Sequence, residues 1–107
     1  MGAEHFDTTI PNPDPNLAFN MAVEAALWDY GHAGYTGTIA EKTSFVTFTP
    51  PEGHSADEAI AALEAFGNVA APSWIPSNIV EAYDDKWGPA VAVPYAGGWR
   101  FIGWASS

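Results

Sequence analysis

If residues 99–105 are extended, both of their faces are apolar. Successive side chains of a strand point to opposite sides, so Trp99 and Phe101 share one face while Ile102 and Trp104 share the other. A strand with one wet face alternates apolar with polar residues, whereas this one requires cover on both sides. Residues 90–95 read as its partner strand, and Ala96, Gly97 and Gly98 between them suit a hairpin turn. A chain of 107 residues has the length of one domain, read here as 1–107, and one domain has one core to offer. The second apolar face is therefore assigned to a contact outside the domain. Trp99, Phe101, Ile102 and Trp104 become a candidate interface with a protein partner or a second copy, since a bare apolar edge strand is hazardous.

The rest of the chain alternates strand and helix signals. Residues 3–10 place Glu4, Phe6, Thr8 and Ile10 on one side of a first strand. Prolines at 11 and 13 end it, Asp14 can cap a helix, and Pro15 fits a first helical position. That helix, 15–30, carries a polar stripe of Asn16, Asn20 and Glu24. Its face of Ala18, Met21, Ala22, Ala25 and Trp28, flanked by further apolar residues, predicts burial on more than one side. Residues 36–42 and 44–49 read as strands. Ser55 with Glu58 is a capping box that opens a helix ending at Gly67, and Ser77 caps a short helix reaching 83 or 84. The order is β-α-β-β-α-(α)-β-β. This is an α+β domain whose antiparallel or mixed sheet carries packed helices, compatible with a ferredoxin-like split βαβ plus a C-terminal strand.

Charge narrows the partners. Net charge is −10, because thirteen carboxylates face only Lys42, Lys86 and Arg100. Three cations cannot neutralise a run of phosphates, which argues against direct nucleic-acid or anionic-membrane binding and leaves a protein partner, or the chain itself as a homo-oligomer. No cysteine is present, so thiol catalysis, disulfides and cysteine-based metal sites are excluded. His5, His32 and His54 sit apart without ligand spacing, and no metal or cofactor is expected. There is no signal-peptide pattern and no apolar run of about 20 residues, which makes the cytoplasm the expected location.

Two segments hold the remaining chemistry. The glycines at 31, 34 and 37 resemble an anion loop in spacing only, since a helix precedes and a strand is expected to follow, the reverse of a phosphate loop. A ligand or partner loop built from His32, Tyr35, Thr36, Thr38, Glu41 and Lys42 is the functional reading, and a helix stop with a turn is the plain one. Asp84, Asp85 and Lys86 form the second candidate, with solvated helix-end charge as its plain reading. No catalytic residue emerges.

The stretch 31–42 (GHAGYTGTIAEK), the stretch 84–90 (DDKWGPA) and the terminal GWASS resemble segments of short bacteriophage and actinobacterial proteins of unassigned activity. That resemblance implies a phage or high-GC bacterial setting and carries over no residue role. The expectation is thus a small acidic, non-enzymatic interaction or regulatory protein that uses an aromatic patch. The alternatives are a small-molecule binder or unusual enzyme using the two segments above, and a nucleic-acid mimic.

Overall fold

The computed structural model describes residues 2–30 and 36–106. Strand β1 (Ala3–Ile10) leads through the proline turn into helix α1 (Pro15–Tyr30). A 3₁₀ turn at Ile39–Glu41 precedes the short strand β2 (Phe45–Thr47). Helices α2 (Ala56–Glu64) and α3 (Ser77–Asp84) follow, and strands β3 (Ala90–Tyr95) and β4 (Gly98–Ser106) complete an α+β domain.

The caps behave largely as their sequences dictate. Asp14 Oδ1 accepts from the amides of Asn16 (2.9 Å) and Leu17 (3.3 Å), supplying donors of the first turn with a partner. Ser55 and Glu58 bond each other's backbone reciprocally, a complete capping box. Helix α3 differs, because Ser77 is its first residue and Pro76, which bonds nothing through its side chain, holds the cap position. The β3–β4 turn has Ala96 (φ 50°) and Gly97 (φ 80°) in the left-handed region, the requirement of a two-residue turn that matches strand twist.

The sheet order is β1-β4-β3-β2. β4 pairs antiparallel with β1 along its length, from Ala3 opposite Ser106 to Ile10 opposite Trp99, and antiparallel with β3 on its other side. β2 pairs with β3 in parallel. Pro94 is tolerated because β3 has run past β2 there, the last ladder pair being Thr47 with Ala92.

Helices cover both faces. Against α1 lie Phe6, Ala90, Ala92, Phe101 and Ala105, with Ala18, Phe19, Ala22 and Ala26 as the helix side of the contact. Against α2 and α3 lie Val91, Val93 and Ile102, packed with Ile60, Leu63, Ile79 and Tyr83. The domain therefore has two cores separated by one sheet.

Four expectations are corrected by this arrangement. The ferredoxin-like topology fails, since β2 and β3 are parallel and the helices occupy both faces rather than one. The strand over 36–42 is a 3₁₀ turn. There, Thr38 caps the amide of Ala40 (3.2 Å), and Glu41 accepts from both the amide (2.9 Å) and the hydroxyl (2.8 Å) of Thr36, so local side-chain bonds replace a ladder. The hairpin's second apolar face is not bare: Phe101 and Ile102 are fully buried in the two cores of the same chain, and β4 is an interior strand. Trp99 and Trp104 are half-buried, Trp99 donating to the Pro13 carbonyl (2.9 Å) and Trp104 standing edge-on to His5. Finally, α1 is buried on one side only. Leu17, Met21 and Trp28 are 53%, 45% and 90% exposed, since the sheet takes one face and no described residue covers the opposite flank.

Candidate functional site

The two polar segments singled out in the sequence do meet. Lys42 follows the 3₁₀ turn, is 4% exposed, and donates from Nζ to the carbonyls of Asp85 (3.3 Å), Lys86 (3.2 Å) and Gly88 (2.8 Å). Its three ammonium protons are matched by three acceptors, and the Phe6 ring lies 5.9 Å away. Burial pushes the Lys42 pKa down, and the charge of Asp85 partly restores it.

The neighbouring groups are engaged as well. Thr36 and Thr38 share a hydroxyl hydrogen bond (2.8 Å), and Thr36 is held by Glu41. Asp85 Oδ1 accepts from the Trp87 amide (2.9 Å), while Lys86 reaches the Gly2 carbonyl (3.4 Å) and stands 5.4 Å from the Trp87 ring centre. Asp84 is exposed at the end of α3. The meeting of 36–42 with 84–88 is thus a saturated clamp that ties the entry of β3 to the 3₁₀ turn, with no polar group of Lys42 left for a ligand. His32 and Tyr35 lie outside the described residues.

The remaining cation is committed on the α2 side of the sheet. Arg100 makes a two-pronged contact with Asp7 (Nε 2.8 Å, NH2 2.6 Å) and reaches Asp57 on α2 (3.1 Å). Hydrogen bonding to Asp7 is the main reason its pKa is raised further. Near the other end of β1, His5 packs against Tyr83 and Trp104, with Nε2 3.8 Å from Glu64. Among the described residues no three metal-capable side chains converge.

Tyr83 provides a pH test of this packing. Burial, then the charge of Glu64, pushes its pKa from 10 up to about 12, although the neighbouring Trp104 indole lowers it in part. The folded protein keeps the phenol proton through a range where the unfolded chain releases it, so this contribution is intact below pH 10 and lost between 10 and 12. Lys42 acts oppositely: its lowered pKa adds stability as pH rises toward the unfolded lysine value of about 10.4. In urea titrations, the stability difference between wild type and Tyr83→Phe should therefore shift by about 2 to 3 kcal/mol from pH 9 to pH 12, against wild type. A difference that stays constant over that range would show that Tyr83 does not titrate as described.

One open groove remains that the sequence did not announce. It runs between β1 and α1, has a volume of about 400 Å³, and is walled by Glu4, Phe6 and Thr8 on the strand, by Ala22, Ala25 and Asp29 on the helix, and by the 36–39 segment, whose Gly37 lies against Glu4. Small helix residues keep it open. Leu17, Met21, Ala25 and Trp28 recur at helical spacing, so the exposed apolar stripe of α1 meets the groove wall at Ala25. Among the described residues the carboxylates of Glu4 and Asp29 have no hydrogen-bond or ion-pair partner. A shallower hollow of about 450 Å³ lies by Pro13, Pro94, Tyr95 and Trp99, where the one indole donor is already spent on Pro13. Alternating alanines in α1 and a first strand without lysine or internal proline are the sequence signals of the β1 groove. They become meaningful only once β1 is known to be an edge.

Among the described residues, no helix is long and apolar enough to cross a membrane. Comparison with known protein families, with curated proteins and with solved structures returns no match for this chain.

Proposed function

We propose that this chain is an acidic protein-interaction domain that docks a partner along the exposed flank of α1. The observation that carries the reading is the stripe of Leu17, Met21 and Trp28, large apolar side chains left in water on an otherwise well-packed helix. A partner that covers about 100 Å² of each gains roughly 2 kcal/mol per side chain before the costs of association, so three anchors contribute about 6 kcal/mol and a micromolar contact draws the remainder from further surface along α1. In the competing small-molecule reading, Lys42 is the central cation, and its three donors are engaged by carbonyls within the fold. Self-association is the weaker form of the proposal, because two copies bring −10 against −10.

The experiment is selection of a random dodecapeptide library on the immobilised protein, with binders remeasured by fluorescence anisotropy. Leu17→Gln with Trp28→Gln should weaken them at least about tenfold while circular dichroism stays native, since both positions are exposed. Binders that ignore the double variant, or a library that yields none, would refute the assignment.

A further inference from the structure

Resting on that reading, we infer that the partner segment is extended and basic, and that it adds to β1 as a fifth strand with alternate side chains entering the β1–α1 groove. Three separate features of the fold converge on this.

The first is the edge itself. β1 is eight residues long, pairs with β4 on one side without a break in register, and among the described residues has no strand on the other. In an antiparallel ladder alternate residues turn their N–H and C=O away from the partner, so about half of β1 presents unpaired backbone outward. Ala3–Ile10 has no bulge, internal proline or lysine, and the charges that guard this edge are the carboxylates of Glu4 and Asp7, which repel acidic strands and admit basic ones. The other edge, β2, offers only three residues.

The second is the groove. An added strand would set every second side chain toward α1, where the small surfaces of Ala22 and Ala25 leave room for the apolar part of a long side chain. The third is charge. Among the described residues Glu4 and Asp29 stand unpartnered at the groove, and the chain's three cations are engaged elsewhere, with Lys42 on carbonyls, Arg100 on Asp7 and Asp57, and Lys86 beside Trp87. Lysine or arginine is the side chain that combines an apolar stem for the alanine wall with a cation for those carboxylates. A second copy fits poorly, since its own β1 would bring another Glu4 and Asp7 and no cation.

The probe is an acetylated, amidated octapeptide in which lysine alternates with valine, measured by anisotropy at low salt together with amide hydrogen exchange of the protein. Binding should slow exchange of outward-facing β1 amides at least about tenfold, and an analogue N-methylated at every residue should bind at least about tenfold more weakly. A glutamate-for-lysine analogue should not bind, and Glu4→Gln with Asp29→Asn should weaken the parent peptide several-fold. If the methylated analogue binds as well as the parent, or β1 exchange is unchanged in the complex, strand addition is wrong. Library peptides that depend on Leu17 and Trp28 yet leave β1 unprotected would overturn the fifth strand while sparing the α1 reading. Binding that ignores Leu17 and Trp28 would remove that reading.

Discussion

Replacing Lys42 with methionine is expected to destabilise the domain by about 3 kcal/mol or more, a large share of what a domain this size has to lose. Methionine keeps most of the apolar stem, so the loss isolates the ammonium. The carbonyls of Lys86 and Gly88 would lose their donor where the side chain that served them is 4% exposed, while that of Asp85 would keep the Gly88 amide (3.0 Å). Removing one partner from a buried polar contact leaves the other with its full desolvation cost, about 1 to 3 kcal/mol for each group that water cannot reach. Burial also penalises the ammonium, as its lowered pKa records, but that smaller relief does not offset two orphaned acceptors. Urea unfolding of wild type, Lys42→Met and Lys42→Arg separates the causes, because arginine keeps donors but not their compact geometry and should fall between the two. A Lys42→Met protein within about 0.5 kcal/mol of wild type would show the clamp to be incidental.

Gly98→Val is expected to prevent folding at ordinary temperatures, and Gly98→Ala to cost about 3 kcal/mol. The position is buried at the start of β4, immediately after the turn, where the chain passes beneath the end of β1. A Cβ here would land on the Ile10 carbonyl oxygen and stand 2.8 Å from both the Asn12 nitrogen and Pro11 Cα. Those atoms are backbone, in a segment stiffened by prolines at 11 and 13, so they cannot step aside as a flexible side chain would. Gly97 is the internal control. Nothing lies within 4 Å of a Cβ there, and its penalty comes only from a positive φ of 80°, so Gly97→Asn, which tolerates that region, should stay within about 1 kcal/mol of wild type. Thermal melts of the three variants decide the point, and a Gly98→Ala protein that melts with wild type would mean that β4 and the 10–12 turn are packed less closely than described.

Much of the local structure was legible because its causes are local. Asp14 and Ser55 with Glu58 form caps whose geometry needs only three or four neighbouring residues, and the β3–β4 turn needs only the freedom of Gly97 and its neighbours. The two apolar faces of 99–105 were read correctly as well, and both are covered. What could not be read was what covers them. Assigning one face to a partner assumed that the domain has a single core, whereas α1 lies on one side of the sheet and α2 with α3 on the other. Side-chain alternation states how many faces a strand must bury and carries no information on which helix crosses to which side.

The candidate groove was hidden for a related reason. Glu4, Ala25 and Asp29 look unremarkable along the chain, as solvated acids and a small helix residue, and only the strand order gives them a joint meaning by making β1 an edge beside α1. The 36–42 segment shows the limit in miniature. Its pattern permits a strand, yet the bonds of Thr36 and Thr38 with Glu41, and the capture of Lys42 by carbonyls more than forty residues away, draw it into a tight turn. By itself, then, the sequence determined the element types governed by caps, turn residues and periodicity, the need for cover on both sides of β4, and a net charge of −10 with only three lysines and arginines. The tertiary structure decided which strand stands at the edge, which helix closes each face and which carboxylates are left without partners, because these depend on contacts between residues far apart in the chain that no local propensity specifies.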